Sequence, residues 1–218
     1  MLLAFDVAPE FIAEHDDWHT HEHLAERLSI PGFIRGTRWV SLRGQPRYLV
    51  VYEVAQLTTL TSQAYLQRLN NPTPWTTKIM ACYRDMNRGF CSVTGSFGLG
   101  VGHVGLLTRF KPKATTETGM RVWLVEEVLP QLCSRAGIGS VHLFEGALTA
   151  PMTNEQRIRG ADASFDWAIL VTGYSQDALA QLSGNELGVV PLSKHGAEGV
   201  RDAIYRMDYS LSHDEIGA

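Results

Sequence analysis

Trp18-His19-Thr20-His21-Glu22-His23-Leu24-Ala25-Glu26-Arg27-Leu28-Ser29-Ile30-Pro31-Gly32 returns, 105 residues later, as Trp123-Leu124-Val125-Glu126-Glu127-Val128-Leu129-Pro130-Gln131-Leu132-Cys133-Ser134-Arg135-Ala136-Gly137. Trp, Glu, Leu, Ser and Gly coincide without a gap, and Trp is rare enough to carry weight. The same offset pairs Leu2 with Leu107, Phe5 with Phe110 and Trp39 with Phe144. After a longer connection in the second copy, Tyr48-Leu49-Val50-Val51 matches Trp167-Ala168-Ile169-Leu170, Leu60 matches Leu179, and Tyr83-Arg84 matches Tyr205-Arg206. A repeat constrains the architecture before any single element is assigned. This one is too long for a solenoid and suits a duplicated small domain.

Each copy reads as β-α-β-β-α-β. Met1 to Val7 is an apolar run of strand character, and Pro9 suits a first helical turn. From 10 to 29 the apolar residues follow a helical period: Phe11, Trp18, Ala25 and Leu28 share a face, with Leu24 and His21 at its edge. Pro31-Gly32 ends the helix. Strands are expected over 33–43 and 47–54, the second because Tyr48, Val50 and Tyr52 alternate with Leu49 and Val51. A second helix is expected over 57–69, opened by Thr58 or Thr59, then a break at Asn70 to Pro74 and a last strand over 82–94. In the second copy, strands are expected at 103–110, 139–146, 165–173 and 200–211, with helices at 117–135 and 176–182. The Ala147 to Ser164 connection reads as a surface loop or a lid. Gly95 to Gly102 contains GxGxG without the strand–helix context of a nucleotide site, so it reads as a linker. The expected organisation is repeat 1 over 1–95, linker 96–102 and repeat 2 over 103–218. The fold class is α+β: two ferredoxin-like units packed sheet against sheet, which covers the apolar face each leaves bare.

The chain has 218 residues, 44% hydrophobic and 19% charged, with a net charge of -4. These are values of an ordinary globular protein, and no Lys or Arg run marks a nucleic-acid partner. No apolar run approaches the length of a membrane span, and no leader is evident, so a cytoplasmic protein is expected. Cys82, Cys91 and Cys133 have no CxxC spacing and lie in apolar surroundings, which argues against disulfides, zinc or a thiolate nucleophile. GxSxG, P-loop and HExxH motifs are absent from the sequence.

Trp18, then Glu22 to Leu28, Pro31-Gly32-Phe33 and a strand with Arg38 resemble the first helix and strand of dimeric α+β barrel proteins, EthD-like members above all. Asn71-Pro72-Thr73-Pro74-Trp75-Thr76 resembles a further stretch of them. The resemblance covers most of residues 1 to 90 and the second copy through the repeat. It implies a ligand cleft between sheet and helices within one repeat. It leaves the activity open among cofactor-free monooxygenases, cyclases, isomerases, decarboxylases and haem peroxidases.

At about 100° per residue Trp18 and His21 fall near the buried face, Glu22 at its margin, and His19 and His23 outside it. One reading makes His21 or His23 a base, Glu22 its orienter, and Arg38 and Tyr52 polar contacts in an apolar pocket, with Trp18, Tyr65, Trp75 and Arg109 also binding substrate. The other makes Trp18 core and pairs Glu22 with Arg38 or a backbone group; recurrence as Trp123 and Glu127 favours it. His15, His19 and His23 share one stripe, which reads as a solvated polar face rather than a metal site. Arg109 either clamps a substrate carboxylate or pairs with Glu145 or Asp166, the pairing being favoured. No haem ligand stands out, His195 included, and no metal or cofactor is assigned. The function expected is a cofactor-independent enzyme acting by acid–base chemistry on a small apolar compound. The alternative is a non-catalytic binding or accessory protein. Whether two chains pair further through their outer helices is left open.

Overall fold

The computed structural model describes residues 1–148, 152–160 and 162–216. Strand β1 (Leu2–Val7) leads into a long helix, α1 (residues 12–28). Gly32, at φ 93°, then takes the left-handed conformation that a side chain resists. Strands β2 (Phe33–Arg43) and β3 (Tyr48–Val54) follow, then helices α2 (Gln63–Asn70) and α3 (Pro74–Met80) and the strand β4 (Tyr83–Gly98). The remainder runs β5 (Val104–Pro112), α4 (residues 117–132), β6 (Ile138–Leu148), α5 (Asn154–Arg159), β7 (Ala163–Ser164), β8 (Trp167–Gly173), α6 (Gln176–Gly184), α7 (Val189–Lys194) and β9 (Ala197–Ser212).

Eight strands close a barrel in the order β1-β3-β2-β9-β5-β8-β6-β4, with β4 pairing back to β1; the short β7 adds to β4 in parallel. The two longest strands tie the halves together. Residues 83–89 of β4 pair with β1, and 90–98 pair with β6. Likewise β9 pairs first with β5 and then, through its far end, with β2. Closure leaves the barrel no open edge.

The period-two alternation of the strands sorts the core into layers. Leu2, Ala4, Trp39, Leu49, Leu107, Leu170 and Tyr205 fill the barrel interior. On the opposite strand faces Phe5, Tyr48, Val50 and Tyr52 meet α1, α2 and α3, and a second outer layer lies under α4 and α6.

The expected second helix begins later than anticipated. Leu57–Thr61 is a 3-10 turn, and α2 starts only where Ser62 Oγ accepts from Tyr65 N at 3.2 Å. Thr73 caps α3 in the same way, and β4 continues to Gly98, into the glycine-rich stretch read as a linker. The connection after β6 is not a plain surface loop. It carries α5, with Thr153, Glu155 and Gln156 buried; residues 149–151 and 161 of it lie outside the described residues.

Candidate functional site

Helix α1 is not uniformly α-helical. Ile12–Trp18 and Leu24–Leu28 are α segments, and His19–His23 between them is a π segment. A π turn takes about one residue more than an α turn, so it resets which residues face inward. Uniform α geometry would set His23 about 140° from Trp18. The wide turn closes much of that gap, and the rings of Trp18 and His23 lie 4.3 Å apart. His15, His19, His23 and Arg27 therefore form one inward column, with exposures of 0, 2, 6 and 2%. This corrects the expectation of a solvated stripe. It also reverses the two faces: His21 is exposed, its Nδ1 2.9 Å from the Asp17 carbonyl.

Three residues of the column, His19, His23 and Arg27, line a small cavity of about 20 Å³, room for roughly one water-sized guest. Leu3, Phe5, Val50, Leu69, Met80 and Met86 supply apolar wall. Four polar atoms on its lining residues, His19 Nδ1, His23 Nδ1, Tyr52 OH and Arg27 Nη1, are buried without a hydrogen-bond partner among the described residues. Buried polar atoms are almost always satisfied, and four orphans around one cavity mark a place for a guest. His15 differs: its Nδ1 lies 3.0 Å from Asp16 Oδ1, and its Nε2 is 3.4 Å from Tyr83 OH.

Helix α5 closes the site from the other half of the chain. Arg27 Nη2 donates to both Glu155 oxygens at 2.5 and 2.6 Å. Arg88 Nε meets Asp162 at 2.9 Å, Arg159 meets the same carboxylate at 2.7 Å, and Arg88 Nη2 donates to Gln156 at 3.1 Å. Buried charges are tolerated when paired in this way, and of the three arginines only Arg27 keeps an unpartnered nitrogen among the described residues.

Burial, then the positive charges of Arg27, Arg38 and neighbouring histidines, push the His19 and His23 imidazoles well below the usual range, so both are neutral near pH 7. Burial raises the Tyr52 phenol, opposed by Arg27. Burial opposes the Arg27 charge, but Glu155 more than offsets it and holds the guanidinium above its ordinary value. The cavity thus offers two neutral imidazoles, a neutral phenol and, of the three guanidiniums that line it, Arg27 with a spare donor.

The other anticipated residues disperse. Glu22 does not pair with Arg38. It accepts from Thr73 Oγ1 at 2.6 Å, Trp18 Nε1 at 3.1 Å and Thr76 Oγ1 at 3.2 Å, clasping α1 to α3. Trp18 is fully buried core, and Trp75 packs partly buried against the same core. Arg38 reaches across to Asp208 at 2.9 Å and to the Asp16 carbonyl at 3.0 Å. Tyr52 and Tyr65 do line the cavity, Tyr65 OH lying 3.4 Å from Met1 Sδ. Arg109 pairs with neither Glu145 nor Asp166: Glu145 is taken by Arg121, and Arg109 donates to the Gln45 carbonyl at 3.2 Å. His195 stacks on Trp123 at 3.7 Å. His19, Arg27 and Glu155 were missed. The strict spacing of four along His15-His19-His23-Arg27 was the available signal, since a column at that spacing fits a locally widened helix.

Helix α4 provides an internal comparison. It too holds a π segment, Trp123–Val128, at the same place after β5. Yet 105 residues beyond His15, His19, His23 and Arg27 stand Met120, Leu124, Val128 and Leu132, which pack into the second outer core. The barrel accepts an apolar column here, so its architecture alone does not call for the polar one.

No protein-family model and no curated protein matches the chain. Solved structures do. An anthrone oxidase-like protein superposes at TM-score 0.68 and 11% identity, covering 100% of this chain and 94% of its own. A Fusobacterium nucleatum protein provisionally designated a monooxygenase superposes at 0.59 and 8%, covering 97% and 92%. One of the same designation from Lactobacillus acidophilus gives 0.56 and 10%, covering 97% and 94%. At these identities the likeness establishes the fold, the dimeric α+β barrel built here by a single chain. No helix among the described residues is long and apolar enough to cross a membrane. Among them no group of three or more His, Cys, Asp or Glu is arranged to hold a metal ion.

Proposed function

We propose that the protein is a small-molecule enzyme that removes a proton from a small, largely apolar organic acid, a phenol or an activated C–H compound, in the cavity behind α1. The observation that carries this is that four unpartnered polar atoms belong to residues lining one small void. In this reading His23 is the base, with His19 beside it. Desolvation disfavours an isolated imidazolium there, but proton transfer creates it next to the substrate anion. Arg27 Nη1 and Tyr52 OH are donors free to hold that anion, and a fixed dipole or cation counts for more in a dry site than in water. His21 and Glu22, first placed in the machinery, have no part in this scheme; Arg38 serves to hold α1 to β9.

Isomerase, lyase, cyclase and oxygenation chemistry can all begin from such an anion. The designations of the similar structures support oxygenation, in which dioxygen adds to a carbanion to give a peroxide anion that reprotonates. A void of about 20 Å³ is far below a usual ligand pocket of roughly 300 Å³ or more, so substrate must displace the α5 lid. That closed volume also supports a second reading, a non-catalytic binding or accessory protein.

We further propose that the chain is a duplication of βαββαβ units, 1–95 and 103–218, allied to EthD-like proteins. The reciprocal pairing of β4 and β9 supports the first point, and the Trp18 to Phe33 pattern the second.

Proton abstraction is tested by NMR in D2O, following C–H exchange in a panel of carbon acids, anthrone among them. Enzyme-accelerated exchange is expected, falling about 100-fold or more in His23→Leu. Exchange no faster than in buffer for every compound would reject the catalytic reading in favour of the binding one.

A further inference from the structure

Beside the histidine cavity lies an open cleft of about 710 Å³. Tyr83, Met86 and Arg159 line both, so these three side chains separate one space from the other. The cleft is rich in arginine: Arg84, Arg109 and Arg201 join Arg159 in its wall. Arg109 and Arg201 are direct cross-strand partners in the β5–β9 ladder. Like charges in that position repel, although Arg109 also lies 5.7 Å over the Phe165 ring. Among the described residues, Arg84, Arg109 and Arg201 form no ion pair. Arg84 donates to the Ala81 and Tyr83 carbonyls and Arg109 to the Gln45 carbonyl. Three aspartates share the cleft, and among the described residues none is within ion-pair distance of these three arginines. Asp202 is bound by Arg43 and Ser183, and Asp6 accepts from Arg47 N, leaving Asp85. Burial disfavours the Arg109 charge, and Arg201 adds to the effect. Guanidinium groups held side by side with no carboxylate paired to them present the donor geometry that organic anions fill. Inward, the cleft ends at the apolar edges of Tyr83 and Met86.

We propose that this cleft is the vestibule of the histidine cavity and takes an apolar organic carboxylate. The carboxylate sits on Arg109 and Arg201, and the apolar body points past Tyr83 and Met86. This deepens the reading of the cavity as an enzyme site and rests on it for the direction of travel. Tyr83, Met86 and Arg159 form the gate, and Arg159, the last residue of α5, also pairs with Asp162.

The test is calorimetric titration of the full chain with benzoate and its neutral counterpart benzamide, at low and high salt. Benzoate is expected to bind, to weaken as salt screens the arginines, and to exceed benzamide by about tenfold or more. The double variant Arg109→Ala/Arg201→Ala should lose benzoate about tenfold without a lower melting temperature, because it removes a repulsion. Arg201→Glu sets a carboxylate opposite Arg109; it should raise the melting temperature and abolish benzoate binding, which no folding defect can mimic. Equal binding of the two compounds, or benzoate binding unchanged in either variant, would overturn the vestibule. The two readings fail separately. Arginine-dependent benzoate binding without catalysed C–H exchange leaves the vestibule standing and removes the enzyme. Catalysed exchange with arginine-independent benzoate binding removes the vestibule alone.

Discussion

Acidification should unfold this protein through α1, and the effect can be assigned to two residues. His19 and His23 are buried at 2 and 6% exposure with pKa values well below the ordinary 6.5. The native state keeps them neutral, while the unfolded chain protonates them once pH drops below about 6.5. The unfolded state then binds more protons, so stability is full above that pH and is lost as pH falls through it. Each histidine still neutral in the native state costs about 1.4 kcal/mol per pH unit in that range. At pH 5.5 the pair should therefore subtract about 3 kcal/mol, a sizeable share of a typical 5–15 kcal/mol. His15 is shifted the same way and adds to the trend. The control is His19→Leu/His23→Val, which installs the residues that α4 carries at Leu124 and Val128. Urea unfolding of both proteins at pH 7.5 and 5.5 gives the comparison. Wild type should lose about 3 kcal/mol more than the double variant between the two pH values. Equal losses would mean that the native histidines take up protons readily, and their desolvated burial would be refuted.

Arg27→Met should cost about 3–5 kcal/mol, because it strands the Glu155 carboxylate in the interior. Adding Glu155→Met should recover much of the loss in urea titrations, and no recovery would show that Glu155 is not buried against Arg27. Glu22→Gln should weaken the clasp to Thr73, Thr76 and Trp18 by roughly 1–3 kcal/mol while leaving C–H exchange intact. A loss of exchange with unchanged stability would return Glu22 to the chemistry. Gly36→Ala should destabilise by about 1–3 kcal/mol, since a Cβ there would lie 2.4 Å from Leu24 Cδ2 and 3.0 Å from the Tyr52 ring; a neutral thermal melt would show that this wall yields.

The order of strands and helices in each half was legible because it is written in local periods. Tyr48, Val50 and Tyr52 alternate with Leu49 and Val51, and the structure places the two sets on opposite faces of β3. Pro31-Gly32 ends α1 for a reason that needs no neighbour: Gly32 adopts a positive φ. The pocket's polar members were read less well. Tyr52 and Tyr65 line the cavity, whereas His21, read near the buried face by assuming uniform α geometry, is exposed and His23, read outside it, is buried. A π segment of five residues shifts that phase, and sequence periodicity averages over such a shift.

What the sequence determined by itself is the succession of elements, the barrel class and the apolar layers, because hydrophobic period and backbone stops act within a few residues. What the tertiary structure decided is where the charges stand. Arg27 finds Glu155 128 residues away, Arg38 finds Asp208 170 away, and Arg109 faces Arg201 across a ladder. Whether a histidine or an arginine lies in solvent or in a dry cavity depends on which distant segments close over it. That is set by the burial of the whole barrel rather than by the residues adjacent in the chain.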